Sequence, residues 1–113
     1  MNNQNQNTET GVLLQLETKI VNVLKNIFDP EIPVNIYDLG LIYGIEVDEY
    51  DNVDISMTLT APNCPIADDL VNEVREKTNA VEGTNKVTVT LTFDPPWDKD
   101  MMSEEAMLQL GCL

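Results

Sequence analysis

Histidine is absent from this 113-residue sequence, and cysteine occurs only at Cys64 and Cys112. Without histidine, the chain by itself can form neither a Cys–His nucleophile pair nor a His-rich metal site. It also lacks a Gly-rich loop of the kind that cradles phosphate groups. No basic stretch followed by an apolar run opens the sequence, and no run approaches about 18 apolar residues, so we expect a cytoplasmic protein with reduced thiols.

Positive charge is scarce, with 6 Lys and Arg against 20 Asp and Glu and a formal net charge of −14. Such a chain repels phosphate backbones and anionic membrane surfaces, so neither nucleic acid nor a membrane is an expected partner. The acidic surface suits basic protein partners, and it equally suits a well-solvated surface without partner preference. The length allows one domain with a modest core.

The N-terminal residues 1–11 are mostly Asn, Gln, Thr and Glu, and we predict a disordered polar tail there, followed by a single domain over residues 12–113. Apolar residues recur at spacings of three and four over residues 12–28, which predicts an amphipathic helix. We expect this helix to end before Pro30, because a proline biases the preceding residue away from helical geometry.

Alternating and helical spacings predict the remaining elements. In chain order these are two strands, a helix, a third strand and a short C-terminal helix, at residues 41–47, 53–59, 65–79, 87–93 and 103–110. The first two strands should form an antiparallel hairpin, and the helix between the second and third implies a right-handed parallel crossover. The sequence therefore predicts an α/β fold, a single compact α-β-β-α-β domain whose small mixed sheet combines a β-hairpin with a parallel crossover strand.

Cys64 stands where the second strand gives way to the crossover helix. Pro65 suits the first helical position, so we predict that Cys64 is the N-cap residue, with its thiol facing free N–H groups and the positive end of the helix dipole. Both favour the thiolate, which makes Cys64 a candidate reactive cysteine. Asp68, Asp69 and the negative field of the protein oppose ionisation, which weakens the hypothesis of a thiol enzyme. The alternative is that Cys64 is a small, half-buried apolar side chain in a turn.

Further candidates lie close to the same end of the sheet. Because the second and third strands are predicted to be parallel, Cys64 and residues 94–97 should meet at their carboxyl edge, where Trp97 either walls off one side of the thiol or caps the core. Thr58 and Thr60 share a strand face opposite the apolar set. They either border the thiol or are exposed threonines favoured by β-propensity.

Three carboxylates, Asp29, Glu31 and Asp38, fall in the loop that precedes the first strand. They are candidates as hard oxygen ligands or as a base for the thiol. In the alternative interpretation, Asp29 caps local N–H groups, Glu31 is solvated and Asp38 makes an Asx-type turn.

Several separated motifs in a fixed order resemble the SufT and PaaD-like metal–sulfur cluster assembly family over about residues 13–111. They are Asp29-Pro30-Glu31-Ile32-Pro33, Ile36 to Tyr43, Met57 to Thr60, Cys64-Pro65, Phe93-Asp94-Pro95-Pro96-Trp97, Met102-Ser103 and Leu110-Gly111. The resemblance implies a compact α/β unit in which the cysteine of the Cys-Pro turn is tied to function. It also implies that the motif carboxylates correspond to Asp29, Glu31 and Asp38.

Two departures from the family pattern matter. Many relatives carry a basic residue after the Met-Ser pair, whereas this chain has Glu104 and Glu105, so a partner contact made there would have reversed charge. The chain also lacks the cysteine-rich extension of the PaaD branch after Cys112, which favours the SufT-like branch.

The resemblance implies an accessory factor, not an enzyme, that helps iron–sulfur clusters reach apoproteins, with assembly proteins and client apoproteins as partners. In this hypothesis Cys64 is a transient thiolate ligand. A stable cluster normally needs four protein ligands, so a bound cluster would be shared across a homodimer or with a partner, or be completed by carboxylates or small thiols. No tightly bound cofactor is expected, and Cys112 is not expected to reach the site.

Two alternatives remain open. The chain is either a metal-free acidic adaptor that docks assembly machinery onto clients or, as the weakest hypothesis, a thiol-dependent enzyme.

Overall fold

The computed structural model describes residues 15–60 and 67–111. In chain order the elements are helix α1 (residues 15–24), strand β1 (Ile42–Val47), strand β2 (Val53–Met57), helix α2 (Ala67–Asn79), strand β3 (Val87–Leu91), a 3-10 turn (Lys99–Met101) and helix α3 (Glu104–Gln109). Among the helices of these described residues, none is long and apolar enough to cross a membrane.

The three strands form one mixed sheet in the order β1-β2-β3. β1 pairs with β2 in antiparallel register, with Ile45 opposite Ile55, and β2 pairs with β3 in parallel register, with Ile55 opposite Val89. A break in the β1–β2 register falls between Ile42 and Gly44. This topology confirms the predicted hairpin and parallel crossover strand, and with them the α-β-β-α-β order.

One apolar cluster joins the helices to the sheet. Ile20 and Leu24 of α1, Ile55 of β2 and Val74 of α2 are each fully buried in it. Their spacing along the chain follows the helical and alternating periods, since each element turns one apolar stripe or face toward the same core. Burial of this shared core holds the helices against the sheet.

Helix α1 ends at Leu24, so the prediction that it continues to Phe28 is wrong. The N–H of Asn26 bonds to the Val23 carbonyl in a tighter, three-residue turn, and Phe28 then forms a short antiparallel bridge with Asn35. The helix gives way because the following loop offers this backbone pairing. The predicted second and third strands were also each two residues too long, since β2 ends at Met57 and β3 at Leu91.

Candidate functional site

Three chain segments meet at one edge of the sheet. Met57, the last residue of β2, pairs with Ile42 at the start of β1 and with Leu91 at the end of β3. Beyond the strands, the Thr58 N–H donates to the Leu41 carbonyl and the Thr92 N–H to the Met57 carbonyl, each at 2.8 Å. We call residues 29–41, 58–60 and 92–98 together the loop edge. The edge is the carboxyl end of the two parallel strands, where α/β sheets commonly place their sites.

Cys64 lies outside the described residues, as does Cys112. In sequence Cys64 falls in residues 61–66, between Thr60 of the loop edge and Ala67, the first residue of helix α2. Its predicted N-cap position and its predicted proximity to residues 94–97 therefore stay predictions.

Asp29 is a buried carboxylate that organises its own loop. Its Oδ1 accepts hydrogen bonds from the N–H groups of Glu31 at 2.8 Å and Ile32 at 2.9 Å. This arrangement agrees with the alternative interpretation, in which Asp29 caps local N–H groups, and the Glu31 side chain is exposed. Asp29 thus shapes the motif loop by fixing the backbone around Pro30.

Asp38 is held by a residue that the sequence analysis missed. Asn35 Nδ2 donates to Asp38 Oδ2 at 2.9 Å, and Asn35 Oδ1 accepts from the Asp38 N–H at 2.8 Å. The side chain that closes the turn onto the backbone is therefore that of Asn35, and not that of Asp38 as the Asx-turn interpretation held. An asparagine three residues before Asp38, in a loop without a clear period, was the available signal. The Asp38 carbonyl also accepts from the Ser103 N–H at 2.8 Å, which ties the N-cap of α3 to the loop edge.

Trp97 joins two of the loop-edge segments. Its indole Nε1 donates to the Leu39 carbonyl at 2.7 Å, and its half-buried ring packs against the core cluster. The contact with the core agrees with the core-capping interpretation of Trp97. Whether the ring also borders the thiol remains a prediction.

Tyr43 makes a second link. The sequence analysis placed it in the first strand and at the end of a family motif but assigned it no role. Its hydroxyl donates to the Pro95 carbonyl at 2.7 Å, next to the cis Asp94–Pro95 peptide. Nearby, Gly40 has a φ of +88°, and a side chain there would collide with the Met101 backbone. Only glycine fits this close approach.

Thr58 is fully buried, so the alternative in which both threonines are exposed is wrong for it, while Thr60 is partly exposed. That either threonine borders the thiol stays a prediction. Met57, Thr58 and Leu59 are all buried, so the alternation of buried and more exposed residues along β2 does not continue beyond Met57. Within the described residues, Thr58 Oγ1 has no hydrogen-bond partner. Such a group is unusual in a folded protein, where buried polar atoms are nearly always paired.

The charged side chains of the described residues form one ion pair and no metal-binding group. In residues 15–60 and 67–111, no group of three or more His, Cys, Asp or Glu side chains is placed to hold a metal ion. The same residues contain one ion pair, between Lys77 Nζ and Glu73 Oε2 at 2.6 Å on the surface of α2. The predicted oxygen ligands Asp29, Glu31 and Asp38 are therefore not brought together as a ligand set by this part of the chain.

Comparisons with known proteins indicate iron–sulfur cluster assembly or maturation. A family model described as iron-sulfur cluster assembly protein matches residues 17–91. A Porphyromonas gingivalis protein named Fe-S protein maturation auxiliary factor is 57% identical over 100 residues, which are 88% of this chain and 95% of the relative. A Staphylococcus aureus protein named Fe-S protein maturation auxiliary factor SufT is 34% identical over 85 residues, 75% of this chain and 97% of the relative.

Among solved structures, the crystal structure of a domain of unknown function from Bacillus anthracis is similar to this chain with a TM-score of 0.80. The sequences are 36% identical, and the match covers 88% of this chain and 94% of the other.

Proposed function

The chain belongs to the family of iron–sulfur cluster assembly proteins, and from this premise we propose that it is an auxiliary factor that receives or delivers clusters through the Cys64 thiolate. In this proposal the cluster is cargo, the partners are assembly proteins and client apoproteins, and the protein itself is not an enzyme. Thiolate sulfur is the usual protein ligand of iron–sulfur clusters, and binding releases the thiol proton.

The observation that carries the proposal is the convergence of the family motifs on the loop edge. Hydrogen bonds from Trp97 to Leu39, from Tyr43 to Pro95 and from Ser103 to Asp38 fasten these motifs to one another. The segment with Cys64 starts from this edge in sequence. A rigid edge next in sequence to the segment with Cys64 supports the proposal, because rigid surroundings would reduce the entropy lost when a cargo binds.

The number of possible ligands in the chain supports a cluster that is shared with another molecule. The chain has two cysteines and no histidine, whereas a stable cluster normally takes four cysteine ligands. Asp29 Oδ1 is already engaged by two backbone N–H groups, which favours a shaping role over a ligand role for Asp29. We therefore propose that the missing ligands come from a second copy of the chain, from a partner protein or from small thiols.

Anaerobic reconstitution with iron and sulfide tests the proposal, with absorption spectra and iron counts for the wild type, Cys64→Ser and Cys112→Ser. We expect sulfur-to-iron charge-transfer bands in the wild type and in Cys112→Ser, and their loss in Cys64→Ser. Equal bands in all three proteins would contradict a ligand role for Cys64.

The second candidate function is the metal-free adaptor, which the net charge of −14 favours. An adaptor of this kind would capture basic partners through long-range attraction and would release them as salt is added. The absence of charge-transfer bands from all three proteins, together with normal client maturation by Cys64→Ser, would replace the first proposal with this one.

A further inference from the structure

A small cleft lies between the loop that follows α1 and the first turns of α2. It is lined by Phe28, Pro30, Asp69, Leu70 and Glu73, and its volume is about 170 Å³. Sites for small molecules usually enclose roughly 300–1,000 Å³, so this cleft is of a size for one or two side chains of a protein partner. We refer to it as the Phe28 cleft.

The apolar part of the Phe28 cleft is open to solvent. Phe28 is 56% exposed although it is a large aromatic residue, and Pro30 is exposed as well, while Leu70 is buried. Exposed aromatic side chains beside a buried aliphatic residue are typical of the anchor points of protein–protein interfaces.

The Phe28 side of the cleft is held in a fixed conformation. Phe28 pairs with Asn35 in a backbone bridge, and the N–H of Asp29 donates to the Val34 carbonyl at 3.2 Å. The two hydrogen bonds accepted by Asp29 Oδ1 fix the backbone on the far side of Pro30. Phe28 and Pro30 thus lie on a loop whose backbone is fixed by hydrogen bonds. Little conformational entropy of this backbone is lost when a partner binds.

The α2 side of the cleft is negatively charged. Asp69 is exposed and has no ion-pair partner within residues 15–60 and 67–111, whereas Glu73 is paired with Lys77. Two further acidic residues, Asp68 and Glu31, are exposed, and in sequence they adjoin Asp69 and Pro30 of the cleft. Acidic groups beside an apolar cleft select a partner that combines an apolar side chain with Lys or Arg.

We propose that the Phe28 cleft docks a basic–apolar segment of a partner protein, with an apolar side chain against Phe28, Pro30 and Leu70 and a cation beside Asp69. The assignment of that partner to iron–sulfur assembly rests on the proposed function. Helix α2 begins three residues after Cys64 in sequence, so the docking surface and the proposed cluster ligand belong to adjoining parts of the chain.

The test uses a fluorescently labelled 12-residue peptide of alternating Leu and Lys, and a matched peptide in which Glu replaces Lys. The full chain is titrated by fluorescence anisotropy, and amide chemical shifts locate the bound peptide. The test variants are Phe28→Ala and Asp69→Lys. The matched controls are Tyr50→Ala, an aromatic residue 69% exposed, and Glu49→Lys, both in the β1–β2 turn. Because Asp69→Lys and Glu49→Lys change the net charge equally, their comparison separates local recognition from general attraction.

We expect the basic peptide to shift the amides of Phe28 and Leu70, and each test variant to weaken binding by roughly tenfold, as an interface anchor residue does. The controls should change the Kd by less than about twofold. Equal effects of test and control variants, or tighter binding of the acidic peptide, would overturn the proposal. Concentration-dependent shifts at Phe28 without peptide would also overturn it, because they would identify a second copy of this chain as the occupant.

Circular dichroism checks that the variants fold, and Phe28→Tyr, which keeps the ring, should retain binding. The peptide titration of Cys64→Ser separates this inference from the proposed function. Retained peptide binding in Cys64→Ser supports docking at the Phe28 cleft, whether or not this variant shows charge-transfer bands after reconstitution. Loss of the charge-transfer bands in Cys64→Ser bears on the cluster proposal alone.

Discussion

Asp29 shows how one buried carboxylate determines the shape of the motif loop. Replacement by Ala leaves the N–H groups of Glu31 and Ile32 without their acceptor, and unpaired donors of this kind cost about 1–3 kcal/mol. We therefore predict that Asp29→Ala lowers the free energy of unfolding by about that amount in urea titrations. Asp29→Asn should lose less, because the amide oxygen can still accept.

Glu31→Gln is the control for this prediction, since Glu31 is exposed and surface substitutions usually change stability by less than about 0.5 kcal/mol. Equal stability of Asp29→Ala and Glu31→Gln would show that the loop holds its shape without the Asp29 carboxylate.

The same residues show where sequence reasoning stops. The motif spacing identified Asp29, Asp38 and Trp97 as residues of interest, but their partners are backbone atoms or, for Asp38, the amide of Asn35. Such partners follow from the path of a loop, which no period in the sequence describes. The alternation rule also fails at Thr58, which is buried between Met57 and Leu59, since the rule assigns faces only where one side of the strand is open to water.

Among the elements, the β1–β2 hairpin makes a pH-dependent contribution to the stability of the fold through Asp48 in its turn. Asp48 accepts hydrogen bonds from the backbone N–H of Asn52, from the Asn52 side chain and from the N–H of Tyr50. The bond from the Asn52 backbone is the main reason that the pKa of Asp48 lies below its ordinary value of 3.8. A lowered pKa in the folded state means that the stabilisation is complete above the unfolded-state pKa and is lost as the pH falls through the folded-state pKa.

We predict that Asp48→Asn is less stable than the wild type at neutral pH and that the difference shrinks as the pH falls below 3.8. Urea midpoints measured across this range for both proteins provide the check. Glu49→Gln is the control, since within the described residues Glu49 accepts no hydrogen bond. A difference that stays constant at every pH would mean that the ionised form of Asp48 is not the form stabilised by the turn.

The elements were predictable because each carries a strong period. The alternation over residues 53–59 and 87–93 and the helical spacing over residues 65–79 predicted ranges that contain β2, β3 and α2. The errors fall at ends, as at α1, where local propensity competes with a backbone bridge that forms only in the folded chain.

For the molecule as a whole, the predicted α/β architecture and the resemblance to cluster assembly proteins are both confirmed. The division into a polar tail over residues 1–11 and a domain over residues 12–113 stays a prediction, as do the homodimer and the cytoplasmic location. The proposed role of Cys64 as a cluster ligand rests on the resemblance, whereas its predicted position at a helix start indicated only a candidate reactive cysteine. Among the described residues, no group of three or more His, Cys, Asp or Glu side chains is placed to hold a metal ion.

The large negative net charge of the chain lowers the stability of its folded state. At −14, carboxylates repel one another more in the compact state than in the expanded unfolded chain. Within residues 15–60 and 67–111 one exposed ion pair offsets this repulsion, and exposed pairs contribute only about 0–1 kcal/mol. Raising the ionic strength from about 0.01 M to 0.15 M shortens the Debye length from roughly 30 Å to 8 Å and screens the repulsion.

We therefore expect the urea midpoint to rise with added sodium chloride over this range. An equal rise with potassium chloride would identify screening as the cause, since screening depends on ionic strength and not on the identity of the cation. A midpoint that falls with salt would instead mean that attractive pairs outweigh the repulsion. With 6 Lys and Arg against 20 Asp and Glu, most carboxylates would remain unpaired even in that case, so the acidic surface would still attract basic partners.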